Sequence, residues 1–412
     1  MHWTALGHAM WLAEAAGLRL LFDPLLSPTH HGGVFEIVGR PTIVTAALRP
    51  DFVFVSHRHP DHFNVPSLAA LAAADPHSVV VTPDALVAWA AETLGFKTVQ
   101  RVPAAQRVDL DGVTVVTTPS VDPREWGAMV ACEGAVVWNQ VDTVLDGAAE
   151  VRRVVAAALS ALGEARVDLA LVRWQPMLEI AAPLGHATQF PFRGYERLLD
   201  EIATVDAGAV VPSACGGRHT TRCAWLDQHV FPLSVERFVR DLRARVERRV
   251  VRADPGTRIA VQPGEVSVVR TESPDLVRFD APGADPRAFR PTSVPPLVDD
   301  NLDGVDEATL RRDVQAWVEG PLANALASVG DGAALRFSVS VVFPSATDDY
   351  TIAVEAGGSQ CARRHDPEWD CLNEVAGSLL WDVLQGRRHW GDLLLSGALR
   401  ARSRAYRVED RC

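Results

Sequence analysis

Twelve residues constrain this chain more than any others: Asp51-Phe-Val-Phe-Val-Ser-His57-Arg-His59-Pro-Asp61-His62. The apolar run after Asp51 reads as a buried strand, and three histidines and an aspartate crowd the turn that follows it. Imidazoles packed this closely are awkward to keep together without a shared ion. Neutral imidazole and carboxylate suit zinc, iron and manganese, and a strand-end loop can hold several such ligands in fixed geometry.

The H-x-H-x-D-H spacing resembles that of the metallo-β-lactamase superfamily. The resemblance implies that His57 and His59 bind one metal, while Asp61 and His62 begin a second site. It also implies an α/β chain folded as a four-layer αββα sandwich. The order of elements agrees: strands read near 11–22, 52–56, 78–83 and 97–102, with helices from 65 and from 84 between them. The first hairpin turns at Gly17, with Gly7-His8 before it and Asp23-Pro24 after it. His8 is placed to line the site from behind. His30 and His31 sit in a turn-rich loop of the kind that borders active sites.

The remaining ligands depart from the superfamily pattern. Residues 113–119 read as a strand whose following loop usually supplies a third histidine, yet the chain has none between His77 and His186. The donors available there are Asp122, with Glu125 as its substitute. Carboxylate in place of imidazole adds negative charge and a harder oxygen, which shifts preference from zinc towards iron or manganese. A hairpin turning at Glu133-Gly134 leads to Asn139-Gln140-Val-Asp142-Thr143, where the superfamily often reads G-D-T. Asp142 is accordingly the expected bridging carboxylate, and with His62 the expected catalytic pair. After the strand near 207–212, His219 is the nearest candidate for the last ligand, ahead of His186 and His229. Arg173, Trp174 and Gln175, at the end of another core strand, are expected to face the pocket.

Four runs narrow the branch: His57-Arg-His-Pro-Asp-His-Phe-Asn-Val-Pro-Ser-Leu, Val121-Asp-Pro, Trp138-Asn-Gln-Val-Asp and Pro212-Ser-Ala-Cys-Gly-Gly. They resemble the metallo-β-lactamase-like domain of CMP-N-acetylneuraminate hydroxylases and the nonheme diiron monooxygenases of natural-product pathways. That resemblance covers roughly residues 1–255. It implies two iron ions, dioxygen and hydroxylation of a C–H bond. The six cysteines are scattered, with no C-x-x-C pair and no C-x-H element, so a Rieske cluster is not encoded. Electrons would then come from a separate reductase.

Proline-rich residues 277–300 read as a linker between a domain at 1–276 and a smaller α+β domain at 301–412. In the latter a helix from Asp306 should end or kink at Pro321. Leu335, Phe337, Val339, Val341 and Phe343 alternate as in a half-buried strand, Tyr350-Thr-Ile-Ala-Val-Glu is its hairpin partner, and a helix is expected over 372–385. The order resembles a sterol-carrier-protein-like domain, which implies an apolar ligand held between sheet and helices, or a lid or homodimer element.

A formal net charge of -12 argues against nucleic-acid partners, which require clustered Lys and Arg. No run of about 18 apolar residues appears, so no membrane span is expected. Dispersed cysteines and an N-terminus without a signal-type core point to the cytoplasm. The expected activity is that of a diiron monooxygenase acting on a hydrophobic small molecule. The alternative is a dinuclear-zinc hydrolase of an ester, thioester or phosphodiester.

Overall fold

The computed structural model describes residues 1–176, 180–186, 189–214, 216–220, 222–279, 287–289, 293–329 and 334–404. The chain divides into two compact units: Met1–Pro176 with Pro191–Arg218 and Phe231–Phe289, and Met177–Phe190 with His219–Val230 and Arg290–Cys412. The second unit thus draws on two segments from within the first 276 residues. Of the expected linker, Val277–Phe279 is a strand antiparallel to Pro41–Ile43. Pro282, Pro286 and Pro291 lie outside the described residues.

The first unit is built on two sheets. One runs in the order Glu265–Arg270, Arg258–Gln262, His2–Gly7, Met10–Ala15, Leu18–Phe22, Phe52–Phe54, Val79–Thr82, Thr98–Arg101. The other runs Arg107–Leu110, Val113–Pro119, Trp126–Cys132, Ala135–Asn139, Val167–Val172, Ala207–Pro212, Arg249–Val250. Strand periodicity explains how they stack. Trp11, Ala13, Leu20, Phe22 and Phe54 point inward and share one core with Trp126, Val130, Val137, Leu169 and Val211 of the other sheet. Their neighbours Leu12, Leu21, Val53 and Val80 point outward and meet Leu68, Leu71, Val87 and Ala91 from the helices Val65–Ala74 and Ala85–Leu94. On the far side, Gly147–Leu162 buries Val151, Val154, Val155 and Ala158, the i, i+3, i+4, i+7 stripe of a helix lying on a sheet. This is the αββα sandwich expected of the sequence.

Both hairpins turn where expected. Ala16 and Gly17 have φ of 50° and 82°, and Glu133 and Gly134 have 52° and 77°, the left-handed pairs that tight hairpins require. A relay of aromatic rings crosses the shared core, Trp3 to Phe22 (centroids 5.2 Å), Phe22 to Phe54 (4.9 Å) and Phe54 to Trp126 (6.3 Å). It stops beneath the histidine-rich turn.

The second unit has a five-stranded sheet in the order Gly358–Ala362, Thr347–Glu355, Leu335–Val342, Cys371–Ala376, Leu399–Ser403. Val339, Val341, Tyr350 and Ile352 pack beneath Leu310, Val314 and Leu380. The helix expected over 372–385 begins only at Gly377, because parallel pairing of Phe337 with Cys371 through Val342 with Ala376 draws the earlier residues into the sheet. Pro321 does not stop its helix; Val318–Leu322 widens into a π turn that accommodates the ring, and the helix resumes at Ala323–Val329. Among the described residues, no helix is long and apolar enough to cross a membrane.

Candidate metal centre

The carboxyl ends of Leu18–Phe22, Phe52–Phe54 and Ala135–Asn139 carry the chemistry, as is usual where parallel strands open a crevice. From the first comes Asp23, buried, with φ 43°. It accepts the backbone N–H of Ser56 (2.8 Å) and the Ser56 hydroxyl (3.0 Å), and its Oδ2 lies 3.1 Å from His62 Nδ1. The strand Phe52–Phe54 delivers Ser56 and His57. His59 O then accepts the N–H groups of His62 and Phe63 in a tight turn, and Asn64 caps the next helix by accepting from Ser67 N at 3.0 Å.

This turn aims ring nitrogens and carboxylates at common points. His57 Nε2 and His59 Nδ1 are 2.9 Å apart, with His57 Nδ1 on the Ser56 hydroxyl at 2.9 Å. His62 Nε2 lies 2.9 Å from Asp142 Oδ2 and 3.4 Å from Asp61 Oδ2. His57, His62 and Asp142 offer ligand atoms within 4.8 Å of one another, and so do His8, Asp61 and His62. Asp142 Oδ1 is buried without a hydrogen-bond partner. Two nitrogens facing each other and an orphaned carboxylate oxygen are what a donor set for cations looks like, and the two groups of donors share His62.

Asp142 is held in place by strain as well as bonds. Val141 before it has φ 56°, a left-handed conformation costly for a β-branched residue, which accounts for the glycine of the G-D-T pattern that Val141 replaces here. Thr143 Oγ1 donates to Gln140 O (2.9 Å) and Gln140 N to Leu171 O (2.9 Å), pinning the turn from both sides.

The two candidates for the missing third histidine part company. Asp122 lies at the surface, 40% exposed, in an ion pair with Arg124 (2.7 Å) whose hydrogen bonds hold its pKa at about 2. Glu125 turns inward and is 9% exposed. Its Oε2 accepts from Ser120 at 3.2 Å, while Oε1 is buried with no partner. Trp126 N–H donates to Ser56 O (3.4 Å), which ties Glu125 to the sheet end that carries His57. The structure thus turns Glu125 inward, within the field of Asp142 and His62, and leaves Asp122 paired with Arg124 but within the field of His59. His219 belongs to the second unit, where Nδ1 lies 2.8 Å from Asp227 and Nε2 3.3 Å from Leu395 O. After Ala207–Pro212 the first unit presents Ser213, whose hydroxyl accepts from the Trp11 indole at 2.8 Å.

Arg173, Trp174 and Gln175 bond to Glu201, Ala214 O and Leu233 O respectively, and so brace the loops. Trp174 also lines a cavity of about 690 Å³ that reaches His8 and Trp11. The residue that the motif reading passed over is Asp23, flagged in the sequence only by its place in Asp23-Pro24.

Charge is tightly coupled in the centre. Burial drives the His57 pKa well below the ordinary value, with His62 adding to the effect, so its ring is neutral as a ligand must be. Burial also opposes protonation of His62, but Asp61, Asp142 and Asp23 outweigh it and raise the pKa well above normal. Asp142, although buried, is held at about 2 by His62, whereas burial and the Asp142 charge push Glu125 up to about 7. Below pH 7, then, a divalent cation must displace protons from Glu125 and His62 to bind. Cation uptake at pH 6 should release at least one proton per chain, and affinity should rise as pH increases through 7. Titration calorimetry in buffers of different ionisation enthalpy measures the release; an uptake independent of buffer would refute it.

Residues 2–142 match the family model described as the Beta-lactamase superfamily domain. This part of the chain is such a domain, and its unit has the metallo-β-lactamase fold. A Mycolicibacterium smegmatis protein whose description includes the words "Rieske 2Fe-2S iron-sulfur protein" is 27% identical over 233 residues, 52% of this chain and 43% of that one. A UPF0173 metal-dependent hydrolase of Opitutus terrae is 31% identical over 166 residues, 36% of this chain and 65% of that one. The chain thus spans less than two thirds of either relative. Among solved structures, CmlA, a diiron beta-hydroxylase from Streptomyces venezuelae, aligns with a TM-score of 0.43 at 16% identity, covering 65% of this chain and 54% of that one. Residues 2–142 thus lie in a metallo-β-lactamase-type fold whose clustered histidines and carboxylates fit metal ions.

Proposed function

We propose that the protein is a nonheme diiron monooxygenase that hydroxylates a hydrophobic small molecule, such as a terpenoid, a lipid or a carrier-linked intermediate of secondary metabolism. It would use dioxygen and electrons from a separate reductase. The observation that supports this reading is the buried Glu125 carboxylate in place of a third imidazole. Together with Asp61 and Asp142 it makes a donor set of three carboxylates and three histidines, harder and more negative than a zinc site rich in imidazole.

In this reading His57 Nε2, His59 Nδ1 and Glu125 hold one iron, Asp61 and His62 Nε2 hold the other, and Asp142 lies between. The bound irons would supply the activation of dioxygen for attack on a C–H bond. The chain's own residues do the rest. His62 Nε2 and Asp142 Oδ2, 2.9 Å apart, would share a proton only until the ions displace it. Asp23 and Ser56 fix the imidazole orientations. In the second unit, a cavity of about 490 Å³ lined by Trp225, Leu297, Val298 and Leu379 beside Arg388 and Arg400 has room for an apolar ligand with a polar end.

The competing reading is a dinuclear-zinc hydrolase of an ester, thioester or phosphodiester, favoured by the hydrolase description of the Opitutus terrae relative. Mass spectrometry of metal content, on protein purified without added metal, separates the two. Two irons per chain are expected; two zincs without iron would sink the oxygenase.

A further inference from the structure

We propose that His8 is the positioning residue of the second ion site, holding the Asp61 carboxylate as a hydrogen-bond donor without binding the ion itself. The inference rests on the dinuclear reading above and adds a residue to it. His8 Nε2 lies 2.9 Å from Asp61 Oδ2, in a side chain only 5% exposed. Its other nitrogen is already used: Gly216 N–H donates to His8 Nδ1 at 3.2 Å. A neutral imidazole that accepts at Nδ1 carries its proton on Nε2, so His8 meets Asp61 with an N–H and has no lone pair there for a cation. His8 Nε2 is buried with no other hydrogen-bond partner, so Asp61 Oδ2 at 2.9 Å is the acceptor within its reach.

The backbone is built for this contact. His8 has φ 48°, a left-handed conformation that a non-glycine residue adopts at a cost, and such outliers persist where the surroundings enforce them. The enforcing neighbour is Gly216, where a Cβ would sit 2.8 Å from His8 Cα and 2.9 Å from His8 N. Only glycine lets the chain approach closely enough to fix the ring. His8 thus does for Asp61 what Asp23 does for His62.

Cobalt(II) titration of the full chain, followed by its visible absorption and by bound metal after desalting, tests this. Wild type should take up two cobalts. His8→Ala should still bind two at saturation, with the second weakened by about 10–100-fold, as is usual for lost outer-shell partners. His8→Gln should restore near wild-type affinity with an unchanged cobalt spectrum, because its amide N–H can donate to Asp61; rescue with a shifted spectrum would mark ligation by its amide oxygen and overturn the proposal. Gly216→Ala should weaken the second ion as His8→Ala does. A His8→Ala protein that saturates at one cobalt, with no rescue by glutamine, would make His8 a ligand and overturn the proposal. Unchanged affinity in both variants would overturn it too. If His8→Ala does not fold, His8→Gln decides alone: native affinity with an unchanged spectrum supports the donor role, and loss of the second cobalt refutes it. A wild type that binds fewer than two cobalts would remove the dinuclear reading and this inference together.

Discussion

Asp142→Ala protein should keep its fold and lose its metal. Asp142 Oδ2 touches His62 Nε2 at 2.9 Å, and its other oxygen is buried without a partner, so in the proposed centre the carboxylate would offer an oxygen to each ion. Removing it takes a donor from both sites at once, and affinity should fall by more than the roughly 10–100-fold that outer-shell changes cause. The fold should survive because His62 is not stranded: Asp61 and Asp23 remain beside it as counterions. Glu125 should also titrate below its present value of about 7, since the Asp142 charge is the second cause of its shift after burial. Metal analysis and circular dichroism read the two halves of this result. Two metals per chain in the variant would take Asp142 out of the centre.

Asp23→Ala should do the converse, damaging the fold and the centre together. Asp23 is buried and serves the Ser56 N–H, the Ser56 hydroxyl and the His62 ring. Alanine leaves a buried N–H unpaired, which costs about 1–3 kcal/mol, and also strips a counterion from a buried imidazole. We expect a loss of about 3 kcal/mol by urea unfolding, together with weaker binding at the His62 site by about 10–100-fold. Asp23→Asn keeps an acceptor for Ser56 and should recover most of the stability but less of the metal binding. Unchanged stability and affinity in Asp23→Ala would show that His62 is oriented by something else.

The sandwich, its hairpins and the crowding of His57, His59, Asp61, His62 and Asp142 were legible in the sequence because each rests on local pattern: alternating apolar residues, paired turn residues, ligands a few positions apart. What was not legible depends on which way a loop turns. Asp122 and Glu125 are three residues apart with the same chemistry. Arg124 draws Asp122 to the surface, while Trp126, anchored in the core and bonded to Ser56, carries Glu125 inward. The helix expected over 372–385 failed for a related reason: a parallel partner thirty-odd residues upstream outweighed a helical apolar stripe.

The edge strand Thr98–Arg101 bears on how copies of the molecule meet in concentrated solution. It is largely exposed, is flanked by Lys97 and ends in Arg101. An open edge invites a neighbouring chain to add its own strand, but here the ladder groups can be reached only by burying fixed positive charge. Two copies that approach along this edge carry like charges against each other. Fibre growth by strand addition is disfavoured at this edge, and raising ionic strength should weaken that protection before it disturbs the fold.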